Sequence, residues 1–192
     1  MDKILNSFKI HDTLSPKFWE NAESNDFSSI KLKPEIRRVL LHAAKFFMET
    51  IDIEVFHPDD ILLTGSIANY NWSEFSDLDV HILAETKNID CNQDIVKSFF
   101  KLKSDHFNEK IADANINGSD IEFYVQDVDE KHESTGVYSL LRNKWVLEPN
   151  KETFDIDLVS VDKKKNKFIN SIDLIEKKAK DPNVDPEELM TD

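Results

Sequence analysis

Three observations predict a mixed α/β (α+β) domain, a small mixed sheet flanked by helices. Helical and strand-like patterns alternate between residues 34 and 125. A chain of 192 residues that is 40% hydrophobic, with 13 Phe, can bury one ordinary core but hardly two. Glycine occurs only at 65, 118 and 136, so Gly65, which closes the apolar run Ile61-Leu62-Leu63, ought to mark a place where a side chain would obstruct the backbone.

Residues 1–33 read as an arm packed on the body. Its apolar anchors Ile4, Leu5, Phe8, Ile10, Leu14, Phe18 and Trp19 lack a sustained period, which points to short helical turns, and a polar stretch follows from Asn21 to Ser29. Pro34 suits the first turn of a helix, where the N–H it lacks would have no partner. Ile36, Val39, Leu40, Ala43 and Phe47 then recur at helical spacing, so 34–51 is expected as a helix with Phe46 and Phe47 in the core.

Ile61 to Thr64 is expected as a short buried strand, Ile67 to Trp72 as a helical turn or short helix, and Asp77 to Ala84 as a second strand. Asn92 can cap a helix that buries Val96, Phe99, Phe100, Phe107 and Ile111. Asn117-Gly118 signals a turn before a third strand, Ile121 to Val125. Residues 136–141 and 144–147 look extended or mixed, ending at Pro149. A final helix is expected over 162–180, with Lys163, Lys164 and Lys165 on a solvated face. The expected division is an arm (1–33), a domain (34–180) and a disordered acidic tail (181–192).

The net charge is −14, and five acids with no base in the last twelve residues leave −9 for the rest. So acidic a chain lacks the electrostatic footprint of a protein that grips a long nucleic-acid backbone. No apolar run reaches the roughly 20 residues that span a bilayer. With a single cysteine, Cys91, and an N-terminus unlike a signal peptide, the expectation is a cytoplasmic protein without disulfides or membrane attachment. The six histidines lack zinc-ligand spacing.

The chemistry concentrates around Thr64-Gly65-Ser66 and Ser76-Asp77-Leu78-Asp79-Val80. In a strand, Asp77 and Asp79 leave the same face. Glu122 in the third strand adds another acid, with Asp120 as its alternative on the same face. If these strands are neighbours, Asp77, Asp79 and Glu122 converge and repel one another unless a divalent cation neutralises them, and hard oxygen ligands suit Mg²⁺. Gly65 and Ser66, at a strand-to-helix turn, offer N–H groups and a hydroxyl to phosphates. His81 extends the acidic face, either as a hydrogen-bonded neighbour or as a contact to a phosphate or the acceptor. His132, Ser134, Thr135 and Tyr138 around Gly136 either line a nucleotide or acceptor pocket or form an ordinary polar loop.

Gly65-Ser66, a spacer of ten residues from Ile67 to Ser76, and then Asp77-Leu78-Asp79-Val80 resemble the signature of the DNA polymerase beta-like nucleotidyltransferase superfamily. Glu122 matches the third acid that this family draws from a later strand. More loosely, residues 14–145 look like uncharacterised nucleotidyltransferase-like proteins encoded by bacteriophages. The resemblance implies a nucleotidyltransferase fold in which Asp77, Asp79 and Glu122 are catalytic and hold two Mg²⁺ ions, with Mn²⁺ as a substitute. It implies transfer of a nucleoside monophosphate from a nucleoside triphosphate to a hydroxyl acceptor on a protein, an RNA end or a small molecule, with pyrophosphate leaving. Gly65, Ser66 and Ser76 would bind the nucleotide. Small members of the family often carry Arg-Gly shortly after Gly-Ser, whereas this chain has Ala68-Asn69-Tyr70, so phosphate neutralisation falls to Lys131, Arg142 or Lys144, with Lys144 the expected nucleotide contact. The alternative is a non-catalytic nucleotide- or protein-binding module on the same fold, such as a phage-encoded inhibitor.

Overall fold

The computed structural model describes residues 10–53, 56–90, 92–132, 134–151 and 158–180. Ile4, Leu5, Phe8, Cys91 and the 181–192 tail lie outside the described residues. The chain divides into two compact units, Met1–Lys151 and Glu152–Asp192. The second unit contains helix α3, Leu158–Ala179, which begins four residues before its expected start. Among the described residues no helix is long and apolar enough to cross a membrane.

The first unit is a mixed α/β body. Its strands are β1 (Trp19–Glu20), β2 (Lys31–Leu32), β3 (Asp60–Thr64), β4 (Leu78–Ala84), β5 (Asn115–Ile116), β6 (Ser119–Asp127), β7 (Val137–Ser139) and β8 (Lys144–Leu147), and its helices are α1 (Pro34–Ile51) and α2 (Gln93–Lys110). Six strands form one sheet in the order β5-β6-β4-β3-β7-β8, and all neighbours are antiparallel except β4 with β6. A parallel pair needs a crossover, and α2 supplies it.

Helix α1 occupies its expected span, with Pro34 in its first turn and Asp52 ending it in the left-handed conformation at φ 56°. It buries Ile36, Leu40, Ala44, Phe47 and Ile51. Two expected core residues face outward instead, Val39 at 47% and Phe46 at 58% exposure. At 100° per residue they fall outside the stripe through Leu40 and Phe47, and hydrophobicity alone does not draw that line. In α2 the Asn92 side chain caps the first turn by accepting from the Ile95 N–H at 3.3 Å, and Val96, Phe100 and Phe107 are buried.

Strand alternation divides the two faces of β4. Leu78, Val80, Ile82 and Ala84 are buried, whereas Asp79, His81 and Leu83 are half-buried on the other side. The core face lies under both helices, where Phe107 meets Phe47 at 5.0 Å and Phe123 at 5.5 Å between ring centroids. Asn108 of α2 also fastens β6: its Nδ2 donates to the Phe123 carbonyl at 3.1 Å, and the Phe123 N–H donates to its Oδ1 at 2.9 Å. This reciprocal pair anchors the backbone beside Glu122.

The expected helical turns of the arm give way to a short hairpin, β1 with β2, across residues 21–30. Trp19 explains why the arm packs on the body. Its Nε1 donates to the Ile67 carbonyl at 2.8 Å, and its ring stacks on Trp145 at 4.6 Å. The Asn117-Gly118 turn joins β5 to β6 with both residues at positive φ, 55° and 80°, the geometry of a tight hairpin.

Replacing Asn108 with Ala leaves both groups of Phe123 without their partner. Urea denaturation of Asn108→Ala should show a loss of about 1–3 kcal/mol, and Asn108→Asp, which keeps only the acceptor, should fall between it and wild type.

Candidate functional site

The register of β4 with β6 sets Asp79 beside Glu122 and His81 beside Tyr124. Asp77 lies one residue before β4 rather than inside it, yet its carboxylate still joins the others. Oxygens of Asp77, Asp79 and Glu122 lie within 4.8 Å of one another, and all three residues are half-buried. Asp120, the alternative third acid, is exposed at the start of β6 and is not in this cluster.

Gly65 ends the strand next to this cluster, because Thr64 pairs with Asp79. Its φ is +72°, and a Cβ built there would stand 1.8 Å from Asp79 Oδ2. The glycine therefore clears the space that the Asp79 carboxylate occupies. Ser66 opens a single 3-10 turn, Ser66–Ala68, and its hydroxyl donates to Ser76 Oγ at 2.6 Å. Ser76 Oγ also accepts the Ser73 N–H at 2.9 Å, so the two serines tie both ends of the intervening loop together. Asn69 continues the clamp, donating to the Gly65 carbonyl at 2.6 Å and to Ser134 Oγ at 2.9 Å while accepting from Thr135 Oγ1 at 2.5 Å.

The cluster makes Asp79 costly to ionise. Burial, then the charges of Asp77 and Glu122, push the Asp79 carboxyl up to about 6. Among the described residues no Lys or Arg forms an ion pair with any of the three. A carboxylate cluster of this kind is suited to a hard divalent cation through oxygen donors alone.

Tyr124 was not singled out in the sequence, although its place two residues beyond Glu122 puts it on the same face. Its hydroxyl donates to Glu122 Oε2 and orients that carboxylate. Burial foremost, followed by this hydrogen bond and the nearby negative charges, raises the phenol's pKa. His81 sits beside it, with 5.2 Å between ring centroids. Gln126 Nε2 donates to the Glu130 carbonyl and faces His132 Nδ1, each at 3.2 Å, which turns Oε1 toward His81 Nδ1 at 2.9 Å. The proton of neutral His81 therefore sits on Nδ1. Burial above all holds the His81 pKa below its usual value.

The remaining candidates disperse. Lys144 is exposed on β8, with β7 and β3 between it and β4. Arg142 pairs through Nε with the buried Asp60 at 3.4 Å, and Lys131 is exposed. Ser134 and Thr135 hold Asn69, and His132 meets Gln126. Tyr138 is fully buried on the core face and donates to Asn143 Oδ1 at 2.9 Å. Comparison with models of known families, with curated proteins and with solved structures finds no match to this chain.

Two predictions follow from the geometry around Asp79. Because the folded state holds its proton up to about pH 6, well above the ordinary carboxyl value of 3.8, stability should fall as pH rises through that window in metal-free buffer. The loss is at most about 3 kcal/mol, and solvent screening reduces it. Asp79→Asn should thus raise the melting temperature at pH 7.5 and leave it unchanged near pH 4, as calorimetry can check. Gly65→Ala forces its methyl group against the Asp79 carboxylate, so divalent-cation titration should show weakened binding even in protein that remains folded.

Proposed function

We propose that this chain is a nucleotidyltransferase that moves a nucleoside monophosphate from a nucleoside triphosphate to a hydroxyl acceptor and releases pyrophosphate. One observation carries the reading: the carboxylates of Asp79 and Glu122, from paired positions of β4 and β6, and that of Asp77, from the residue just before β4, meet beside a glycine turn that has room for nothing larger. Their order in the chain and the ten-residue spacer agree with the superfamily signature that the sequence resembles.

The donor set fits Mg²⁺. Asp77, Asp79 and Glu122 would hold it, with Tyr124 fixing the orientation of Glu122. When bound, Mg²⁺ supplies neutralising charge for the triphosphate and lowers the pKa of the acceptor hydroxyl. The N–H groups of the turn at Gly65 and Ser66 would orient the phosphates, and the Ser66 to Ser76 hydrogen bond would keep that turn in place before the nucleotide arrives. The acceptor class is a protein side chain, an RNA end or a small molecule, and the acidity of the chain weighs against the RNA.

The test is transfer of label from each α-labelled nucleoside triphosphate, with Mg²⁺ and a cell extract as the source of acceptors. The expected outcome is labelled product that requires Mg²⁺ and disappears in the Asp77→Asn/Asp79→Asn double variant. Transfer that survives the double variant sinks the proposal. Triphosphate binding that ignores both Mg²⁺ and the acids would leave a non-catalytic binding module in its place.

A further inference from the structure

The loop between Ala68 and Asp77 carries three aromatic residues, and they are treated differently. Trp72 stacks on His11 with ring centroids 3.7 Å apart, and its Nε1 donates to the Thr13 carbonyl at 3.0 Å. Tyr70 lies under the Lys151 ammonium, 5.0 Å from its ring centroid. Phe75 is 79% exposed, the most exposed large apolar side chain among the described residues, and there it meets no other aromatic ring.

That exposure is not the fraying of a loose loop. The Phe75 N–H donates to Ser73 Oγ at 3.1 Å, the Ser76 N–H donates to the Ser73 carbonyl at 3.2 Å, and the Ser73 N–H donates to Ser76 Oγ at 2.9 Å. Ser76 is in turn tied to Ser66 at the glycine turn. The backbone that presents the phenyl ring is therefore anchored to the phosphate-side turn on one hand and runs into Asp77 on the other.

We propose that Phe75 is the platform on which the nucleobase of the triphosphate stacks. This rests on the nucleotidyltransferase reading. A ribose separates the base from the α-phosphate, so a group that meets the base must stand just outside the carboxylates, and Phe75 stands two residues before Asp77 in the chain. Stacking on a phenyl face accepts any base and favours the larger purines, whereas discrimination by hydrogen bonding would need polar groups that Phe75 does not have. Selectivity at this site is accordingly for a nucleotide over a bare polyphosphate.

The experiment compares two probes on the full chain by calorimetric titration with Mg²⁺: α,β-methylene-ATP, which has a base and resists transfer, and inorganic tripolyphosphate, which has none. Phe75→Ala should weaken the nucleotide roughly 5- to 100-fold and leave tripolyphosphate unchanged, while Phe75→Trp should retain or tighten nucleotide binding. Asp77→Asn/Asp79→Asn should weaken both probes. If Phe75→Ala weakens neither probe, or both equally, while the double variant weakens both, the stacking role is overturned and the nucleotidyltransferase reading stands. If wild type binds neither probe, or binds them without Mg²⁺ and the acids, both fall. The phenyl ring is exposed, so the melting temperature of Phe75→Ala should match wild type and keep loss of fold out of the comparison.

Discussion

The parallel pairing of β4 with β6 is the constraint on which the rest of this molecule depends. It sets Asp79 opposite Glu122 and Val80 opposite Phe123, so one register decides both the polar cluster and the apolar face beneath it. A slip of one residue would bring Ile121 or Phe123 to the position of Glu122 and turn the core face outward. The crossover that parallel pairing requires is α2, and α2 closes the core with Phe100 and Phe107 and grips the Phe123 backbone through Asn108. The helix that makes the pairing possible thus also stabilises its register.

The site works against stability and the core compensates. Three half-buried carboxylates without a cationic partner among the described residues are costly, and the elevated Asp79 pKa reports that cost. What holds them together is apolar contact on the opposite face of the same two strands, where Phe47, Phe107 and Phe123 pack ring against ring. Gly65 contributes by absence, because any side chain there would displace Asp79. The electrostatic cost thus falls on one sheet face while the packed core on the other offsets it.

Much of this was legible in the chain. The span of α1, the Asn92 cap, the Asn117-Gly118 turn and the alternation of β4 follow from local periodicity and backbone preference, which act over a few residues. The suspicion attached to Gly65 was likewise local, since scarce glycine after an apolar run implies an obstructed backbone. What local pattern leaves open is decided by distant neighbours. Val39 and Phe46 are apolar but miss the stripe that meets the sheet, and the arm forms a hairpin because Trp19 finds Ile67 and Trp145. Pairing with Leu63, likewise, is what places Tyr138 on the core face.

By itself, then, the sequence determined which residues could form a carboxylate site beside a glycine turn, because residue type, strand parity and spacer length are local properties. Only the tertiary structure decided that Glu122 and not Asp120 completes the cluster, that Tyr124 holds it, and that Lys144 lies three strands away. Those outcomes depend on strand order and register, which arise from packing between segments far apart in the chain.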